Sequence, residues 1–269
     1  MGDGILIKLN IDEIKAIQLE ILKNVSQYCE DNNIRYSLAY GTLIGAIRHK
    51  GYIPWDDDID IVMPRPDYEK FITNFNGCLK NYSVYATEIN SNFLYPFAKV
   101  SYDKSILIET TNIKHDIGIN IDIFPMDGIP SIDNIELIRK QNFYRNLANF
   151  KTVKVSTNRN IFKNIFLILG KIFLFWLPLK IINSKMIDNS KKYSFNNEDY
   201  CCNISTGLVA NKPIPKKYLE EYIECTFEDD KFNATKFYNQ WLLSIYGDYM
   251  KMPPKEKQVT HHKYKAYKK

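Results

Sequence analysis

Hydrophobic residues recur at helical and strand spacing along the first 130 residues. Between residues 12 and 29 an apolar side chain follows every three or four positions, which predicts an amphipathic helix with Asp12 as its N-cap. The pattern further predicts helices over 42–48 and 66–79, and strands over 34–40, 59–63, 82–87, 95–102, 106–109 and 119–124. Because most of these strands follow one another without long helices between them, we predict an α+β fold, a mixed β-sheet flanked by helices.

After residue 130 the pattern changes to longer helical segments. It predicts helices over 133–152 and 161–177, and therefore a mainly helical second half. We expect one unit in residues 1–130 and a helical region in residues 131–269. The boundary between them is soft, because no Ser/Gly linker or low-complexity tract marks it.

Residues 161–182, IFKNIFLILGKIFLFWLPLKII, raise the question of a membrane span. A full span is excluded because Lys171 lies mid-segment, where a lysine costs about 2.5–3.5 kcal/mol on insertion scales, and because Pro178 interrupts the run. The polar residues of the helix share one arc of about 100°, which leaves a wide apolar face. Two interpretations stay open: helix 161–177 is buried between the sheet and other helices, or it lies in the membrane interface near a lipid-linked acceptor.

Composition and charge exclude several classes of function. The 269 residues are 45% hydrophobic, enough for a sizeable core, and their formal charge of +5 is too small for a nucleic-acid-binding footprint. Basic residues gather instead at 48–50 and in the tail over 251–269, which suits anionic substrates or an anionic membrane surface. The five cysteines lack zinc or disulfide spacing, and the N-terminus shows no export or lipidation signal, so we expect a cytoplasmic protein. Peripheral association with the inner face of the membrane is compatible with this.

The most polar stretch is the aspartate cluster at positions 56, 57, 58 and 60. If a strand begins at Asp58, alternation places Asp58 and Asp60 on one face and the neighbouring isoleucines on the other. Two converging carboxylates favour a hard divalent cation, Mg²⁺ or Mn²⁺. A solvated acidic turn is the alternative, but the cluster lies between a Gly-Thr turn and an apolar strand, which favours a metal site. Asp56 and Asp57 precede the alternation and either shape the turn or surround the metal ligands.

Two further elements fit this site. Gly41 and Thr42 open the short helix, where exposed N–H groups bind a phosphate and the absence of a Cβ allows close approach. In the strand GINIDIF, alternation places Asp122 on one face and the isoleucines on the other, so Asp122 is the best candidate for a third carboxylate.

Three segments of the chain resemble the LicD family of phosphotransferases, which also contains the fukutin-related proteins. They are GTLIGAIRHKGYIPWDDDIDI, INIDIFPMDGIP and YGDYMKMPPKEKQVTHHKYKAY, and the resemblance runs from about Tyr36 to the C-terminus. It implies a nucleotidyltransferase-like catalytic core in residues 1–130, with the basic C-terminal tail completing the site. It also implies metal-dependent transfer of phosphocholine, or a related phospho-alcohol, from a CDP-activated donor. The acceptor would be a sugar of a cell-surface polysaccharide such as teichoic acid, capsule or lipopolysaccharide, free or lipid-linked.

The resemblance assigns roles to individual positions. Asp58, Asp60 and Asp122 match the catalytic, metal-binding aspartates. The positions that match substrate-binding residues are Gly41, Thr42, Lys99, Glu109, His261 and His262. We expect in-line displacement at the β-phosphorus of the donor, with Asp122 sharing the metal or accepting the acceptor's proton. Arg48 and Lys99 either neutralise phosphate charge or form surface salt bridges.

Two other functions remain compatible with the sequence. A nucleotidyltransferase would use the same aspartates to move NMP from NTP onto a small molecule, with attack at the α-phosphorus. An inactive relative would bind a nucleotide or glycan and serve as an assembly partner at the membrane. The presence of all three aspartates favours an enzyme.

Overall fold

The secondary structure alternates between short strands and helices. The computed structural model describes residues 6–90, 93, 95–109, 117–153, 155, 160–207, 212–260 and 264–269. Its elements up to residue 129 are β1 (Ile7–Lys8), α1 (Ile11–Asp31), β2 (Ser37–Leu38), α2 (Tyr40–Ile44), β3 (Asp60–Pro64), α3 (Arg65–Asn74), β4 (Tyr82–Tyr85), β5 (Ala98–Tyr102), β6 (Ser105–Glu109) and β7 (Asn120–Ile129). Those that follow are α4 (Ile135–Thr152), α5 (Ile161–Phe173), α6 (Leu179–Ser190), β8 (Tyr200–Cys202), β9 (Ile214–Pro215), β10 (Tyr222–Phe227), β11 (Asp230–Thr235), α7 (Tyr238–Tyr246) and β12 (Tyr264–Lys268).

The central sheet has the strand order β2-β3-β7-β5-β4. Strands β3 and β7 are parallel, whereas the other neighbours along this order are antiparallel. Strand β7 is long, and its second half pairs with β8, which in turn pairs with β9. A mixed sheet flanked by helices confirms the predicted α+β class.

Two smaller sheets complete the architecture. Strand β12 lies between β1 and β6 and pairs with both in antiparallel fashion. Strands β10 and β11 form a hairpin that contacts β2. The main hydrophobic core contains Leu22 and Phe71 from the first half together with Phe227, Trp241 and Ala266. Side chains from both sides of residue 130 therefore share one core.

The N-cap of helix α1 lies two residues before the predicted one. Its N-cap is Asn10, whose side chain accepts a hydrogen bond from the Glu13 amide at 2.9 Å, while the Glu13 carboxylate accepts one from the Asn10 amide at 2.7 Å. This capping box satisfies two backbone donors at once. The prediction of Asp12 as the cap is wrong, and Asp12 lies in the first helical turn.

The second half is less uniform than its pattern indicates. The prediction of a mainly helical region holds over α4 to α6, but five short strands and α7 follow. The hairpin β10–β11 contains polar residues such as Glu224 and Asn233, because one face of an antiparallel hairpin is open to solvent. Within the described residues, no helix combines the length and apolarity needed to cross a membrane.

Candidate active site

Two of the predicted aspartates lie side by side at the start of the parallel strands. Asp60 on β3 is in register with Asp122 on β7, and adjacent strands are about 4.8 Å apart. Both aspartates are half-buried. The residues on the opposite face are fully or almost fully buried: Ile59, Ile61, Ile121 and Ile123. Alternation thus sends isoleucines into the core and carboxylates to the other face of the sheet.

The acidic loop before β3 brings three carboxylates together. Oxygens of Asp56, Asp57 and Asp58 all lie within 4.8 Å of one another. Asp57 is buried and its two neighbours are half-buried. Gly41 allows this arrangement, because a Cβ built on it would lie 2.5 Å from Oδ2 of Asp56. The space above Gly41, predicted to accommodate a phosphate, is thus taken by a carboxylate in this structure.

Burial and mutual repulsion perturb these acids. Burial, followed by the negative charge of Asp58, raises the pKa of Asp56 to about 7. Burial also raises the pKa of Asp60 well above its usual range, and the charges of Asp58 and Asp122 raise it further. Clustered carboxylates of this kind are stabilised in their ionised form by a nearby cation. The set of hard oxygen donors therefore fits a divalent metal such as Mg²⁺ or Mn²⁺.

Lys99 is the basic residue nearest to Asp122. It lies opposite Asp122 on the antiparallel strand β5, and its Nζ is 2.5 Å from Oδ1 of Asp122 and 3.1 Å from Oδ1 of Asn120. Its ammonium group also lies 5.1 Å from the ring centroid of Tyr95 and 5.5 Å from that of Phe97. Lys99 is buried, so it compensates part of the negative charge from inside the protein.

Thr42 and Arg48 contact protein groups that the sequence did not indicate. The Thr42 hydroxyl is buried and accepts a hydrogen bond of 2.8 Å from the amide of Asp60, so it fixes the start of β3 against α2. The guanidinium of Arg48 donates to the carbonyl oxygen of Tyr249 and, at 3.4 Å, to that of Lys251. Arg48 therefore fastens the segment after α7 to the π-helical turn that follows α2.

Two residues that sequence analysis missed hold the acidic loop in place. Gln18 donates from Nε2 to the carbonyl oxygens of Asp57 at 3.0 Å and of Asn120 at 3.4 Å. The Tyr264 hydroxyl donates to the same Asp57 oxygen at 3.0 Å. Gln18 carried a signal, since it is a polar residue within the apolar stripe of α1. Tyr264 carried none, because its position depends on the pairing of β12 with β6.

Some of these groups, but not Asp56 or Asp60, line a small cavity of about 50 Å³. Its lining residues come from five elements and the acidic loop: Gln18, Asp57, Asp58, Lys99, Leu107, Ile119, Asn120, Asp122 and Tyr264. This volume accommodates an ion with a water molecule, whereas sites for drug-sized ligands take about 300–1,000 Å³.

Three predicted substrate-binding positions cannot be placed around this cavity. The main chain of Glu109 pairs with Tyr264 at the end of β6, but its side chain lies outside the described residues. His261 and His262 also lie outside the described residues, immediately before β12. Their roles stay predictions.

Comparison with known proteins agrees with this geometry. Residues 33–151 match the family model for the LicD/FKTN/FKRP nucleotidyltransferase domain, a span that contains all three predicted aspartates. The chain is 33% identical over 272 residues to the lipopolysaccharide cholinephosphotransferase LicD of Haemophilus influenzae, and the alignment covers 97% of this chain and 98% of that protein. A shorter match, 33% identical over 96 residues, covers 35% of this chain and 30% of an uncharacterized protein of Rickettsia typhi.

The match to the LicD protein of Haemophilus influenzae extends over nearly the whole of both chains. The protein belongs to the LicD family, which confirms the resemblance inferred from its sequence.

Proposed function

We propose that this protein transfers phosphocholine, or a related phospho-alcohol, from a CDP-activated donor to a sugar of a cell-surface polysaccharide. The observation that carries the proposal is the register of Asp60 with Asp122 beside the acidic loop. Its support is a nearly full-length relative that is named as a lipopolysaccharide cholinephosphotransferase. A lipopolysaccharide-type glycan is therefore the first acceptor to test, ahead of teichoic acid and capsule.

A divalent cation fits the carboxylates of the site. Asp58, Asp60 and Asp122 would hold Mg²⁺ or Mn²⁺, and Asp56 and Asp57 are close enough to Asp58 to complete its surroundings. Burial, and after it the repulsion of neighbouring carboxylates, raises the pKa of Asp56 and of Asp60, and a bound cation would offset both effects. When bound, the ion supplies charge stabilisation to the phosphoryl oxygens and to the departing CMP.

The protein groups supply positioning and proton transfer. The acceptor hydroxyl oxygen forms a bond to the β-phosphorus of the donor, and the bond from that phosphorus to the bridging oxygen breaks. The bridging oxygen leaves with its electron pair on CMP, and the proton of the hydroxyl passes to a carboxylate, for which Asp122 is the candidate. Lys99 compensates charge beside Asp122, while Thr42 and Gln18 hold the two strands and the loop in register.

The decisive experiment measures products. Purified protein with Mg²⁺ is incubated with CDP-choline, CDP-ribitol or CDP-glycerol, with and without isolated lipopolysaccharide or teichoic acid, and CMP is quantified. We expect CMP release that requires both the metal and a glycan, and no release by the Asp58→Asn variant. Pyrophosphate release from an NTP would identify a nucleotidyltransferase instead. If the protein binds a donor in the absence of metal but releases no CMP with any combination of donor, metal and glycan, it is a non-catalytic relative and the proposal is refuted.

A further inference from the structure

A continuous apolar surface projects from α5 and the turn that follows it. We call it the α5 ridge, and it consists of Phe162, Ile165, Phe166, Leu169, Ile172, Phe173, Phe175 and Trp176. Their exposure is high, reaching 77% for Phe162, 85% for Phe175 and 73% for Trp176. Single exposed apolar residues are common, but a contiguous surface of this kind usually marks an interaction site.

The apolar ridge is not the face by which α5 packs against the rest of the protein. The opposite side of α5 already packs against α4, where Leu167 and Leu174 are buried. A Cβ on Gly170 would lie 2.7 Å from the ring of Phe150, so the two helices are in close contact. Lys151 also donates to the carbonyl oxygen of Leu174 at 2.6 Å. The interpretation that this helix is buried between the sheet and other helices is therefore wrong. The ridge lies on the side of α5 that faces away from α4.

The chain segment that carries the ridge is strongly basic, although Lys185 lies 3.9 Å from the carboxylate of Asp188. Residues 137–187 contain ten lysine or arginine residues and no aspartate or glutamate. The whole chain has a formal charge of +5, so the remaining residues carry a formal charge of −5. Lys163, Lys180 and Lys185 flank the ridge and are exposed. The segment that displays the apolar surface is therefore one of the most basic parts of the chain, together with the tail over 251–269.

We propose that the α5 ridge docks into the interface of a bilayer that contains anionic phospholipids. Basic residues near such a surface contribute about 1 kcal/mol each, and the apolar face of an amphipathic helix enters the headgroup region. Trp176 suits this boundary because its ring is apolar and its N–H is polar. A second copy of the chain is a poorer occupant, since it would bring two surfaces of the same charge together. This docking is independent of the proposed phosphotransfer, although it would bring the site close to a lipid-linked glycan.

The test is co-sedimentation of the purified protein with vesicles. One preparation contains phosphatidylcholine alone, and the other contains phosphatidylcholine with phosphatidylglycerol. We expect strong binding to the anionic vesicles, weak binding to the neutral ones, and a decrease at high salt. The double variant Phe162→Ser/Phe175→Ser should lose at least about tenfold in partitioning, because it removes two of the largest apolar side chains that would leave water on docking. The matched control Ile89→Ser/Ile108→Ser, which alters two exposed apolar residues elsewhere, should bind like the wild type.

Tryptophan fluorescence and an enzyme assay give two further tests of membrane docking. Anionic vesicles should shift the tryptophan emission to the blue, and Trp176→Phe should remove that shift, since Trp241 is buried and Trp55 is half-buried against the main core beside the acidic loop. CMP release with a soluble glycan should be the same in the wild type and the double serine variant, which separates docking from catalysis. Equal vesicle binding by the double variant and the wild type would overturn the proposal. The proposal would also be overturned if the wild type binds no vesicle and forms a dimer that the serine substitutions dissociate.

Discussion

Asp122 and Asp127 lie five residues apart on β7, and both pair with a cation, yet the two pairs differ in depth. Asp127 is fully buried and accepts from Nε and Nη2 of Arg65 at 2.6 and 2.9 Å, while Arg65 also contacts Glu88. Asp122 is half-buried and contacts Lys99. A bidentate guanidinium fixes its partner in one geometry, whereas an ammonium group on a flexible chain can move. The same strand therefore carries one pair that is suited to structure and one that can yield to a substrate or an ion.

The difference is visible in electrostatics as well. Burial alone would lower the pKa of Arg65, but the charge of Asp127 outweighs it and the pKa is raised. Burial raises the pKa of Asp127, and Arg65 opposes that increase. Each member of the deep pair thus holds the other in its charged form. Beside the shallow pair, burial raises the pKa of Asp60, and the charges of Asp58 and Asp122 raise it further, whereas Lys99 only opposes this increase.

The largest expected effect is on catalysis at the shallow pair. Asp122→Asn should lower CMP release by about 10³-fold or more, because it removes a carboxylate from the metal and proton-transfer site. The thermal midpoint should stay within a few degrees of the wild type, since asparagine has the same shape. Enzyme assays and thermal unfolding of the same preparation measure both quantities. A fully active Asp122→Asn protein would contradict the functional distinction between the two aspartates.

The next effect is on stability at the deep pair. Arg65→Met should lower the free energy of unfolding by about 3–5 kcal/mol, because it leaves Asp127 buried without its cation. Urea denaturation followed by circular dichroism measures the loss. The matched control is Lys99→Met, which removes the cation of the shallow pair from β5 and should lower the free energy of unfolding by less. If the two variants lose equal stability, depth of burial does not separate the pairs.

The smallest expected effect is on the Mg²⁺ concentration that the protein requires, because Lys99 and the metal ion would compete for Asp122. Lys99→Met removes a positive charge beside the site, so the concentration of Mg²⁺ needed for half-maximal stabilisation should fall, by about tenfold. Thermal unfolding across a Mg²⁺ titration measures it and requires no substrate. An unchanged or higher Mg²⁺ requirement would show that Lys99 and the metal do not compete for Asp122.

Local patterns predicted the faces of the sheet but not the extent of its strands. The alternation around Asp60 and Asp122 identified both the core isoleucines and the acidic face, since this signal lies within a few residues. The prediction ended this strand at residue 124, because proline usually interrupts a central strand. In the structure β7 continues through Pro125 to Ile129. Residues 34–40 gave only the short β2, since Tyr40 adopts a φ of 47° and begins α2.

The contacts within the site could be predicted less well, because they depend on residues that are distant in the sequence. The family resemblance, confirmed by comparison, identified the aspartates and Lys99, but it gave no indication that Gly41 faces Asp56 or that Thr42 binds the Asp60 amide. Those contacts arise only when the acidic loop folds back onto α2. The contact of Tyr264 with Asp57 spans more than 200 residues of sequence, and no periodicity reports such a distance.

The pairing of β7 with β8 has a consequence for engineering. Ile129 is in register with Tyr200 and Asp127 with Cys202, so the long segment that carries α4, α5 and α6 leaves and re-enters the protein at neighbouring points. Leu137 and Ile138 of α4 pack with Ile129 and Cys202 in a second buried cluster, so a shortened or exchanged excursion has to replace these contacts. Grafting a different excursion onto this ladder offers a route to redirect the enzyme to another surface while its chemistry is retained.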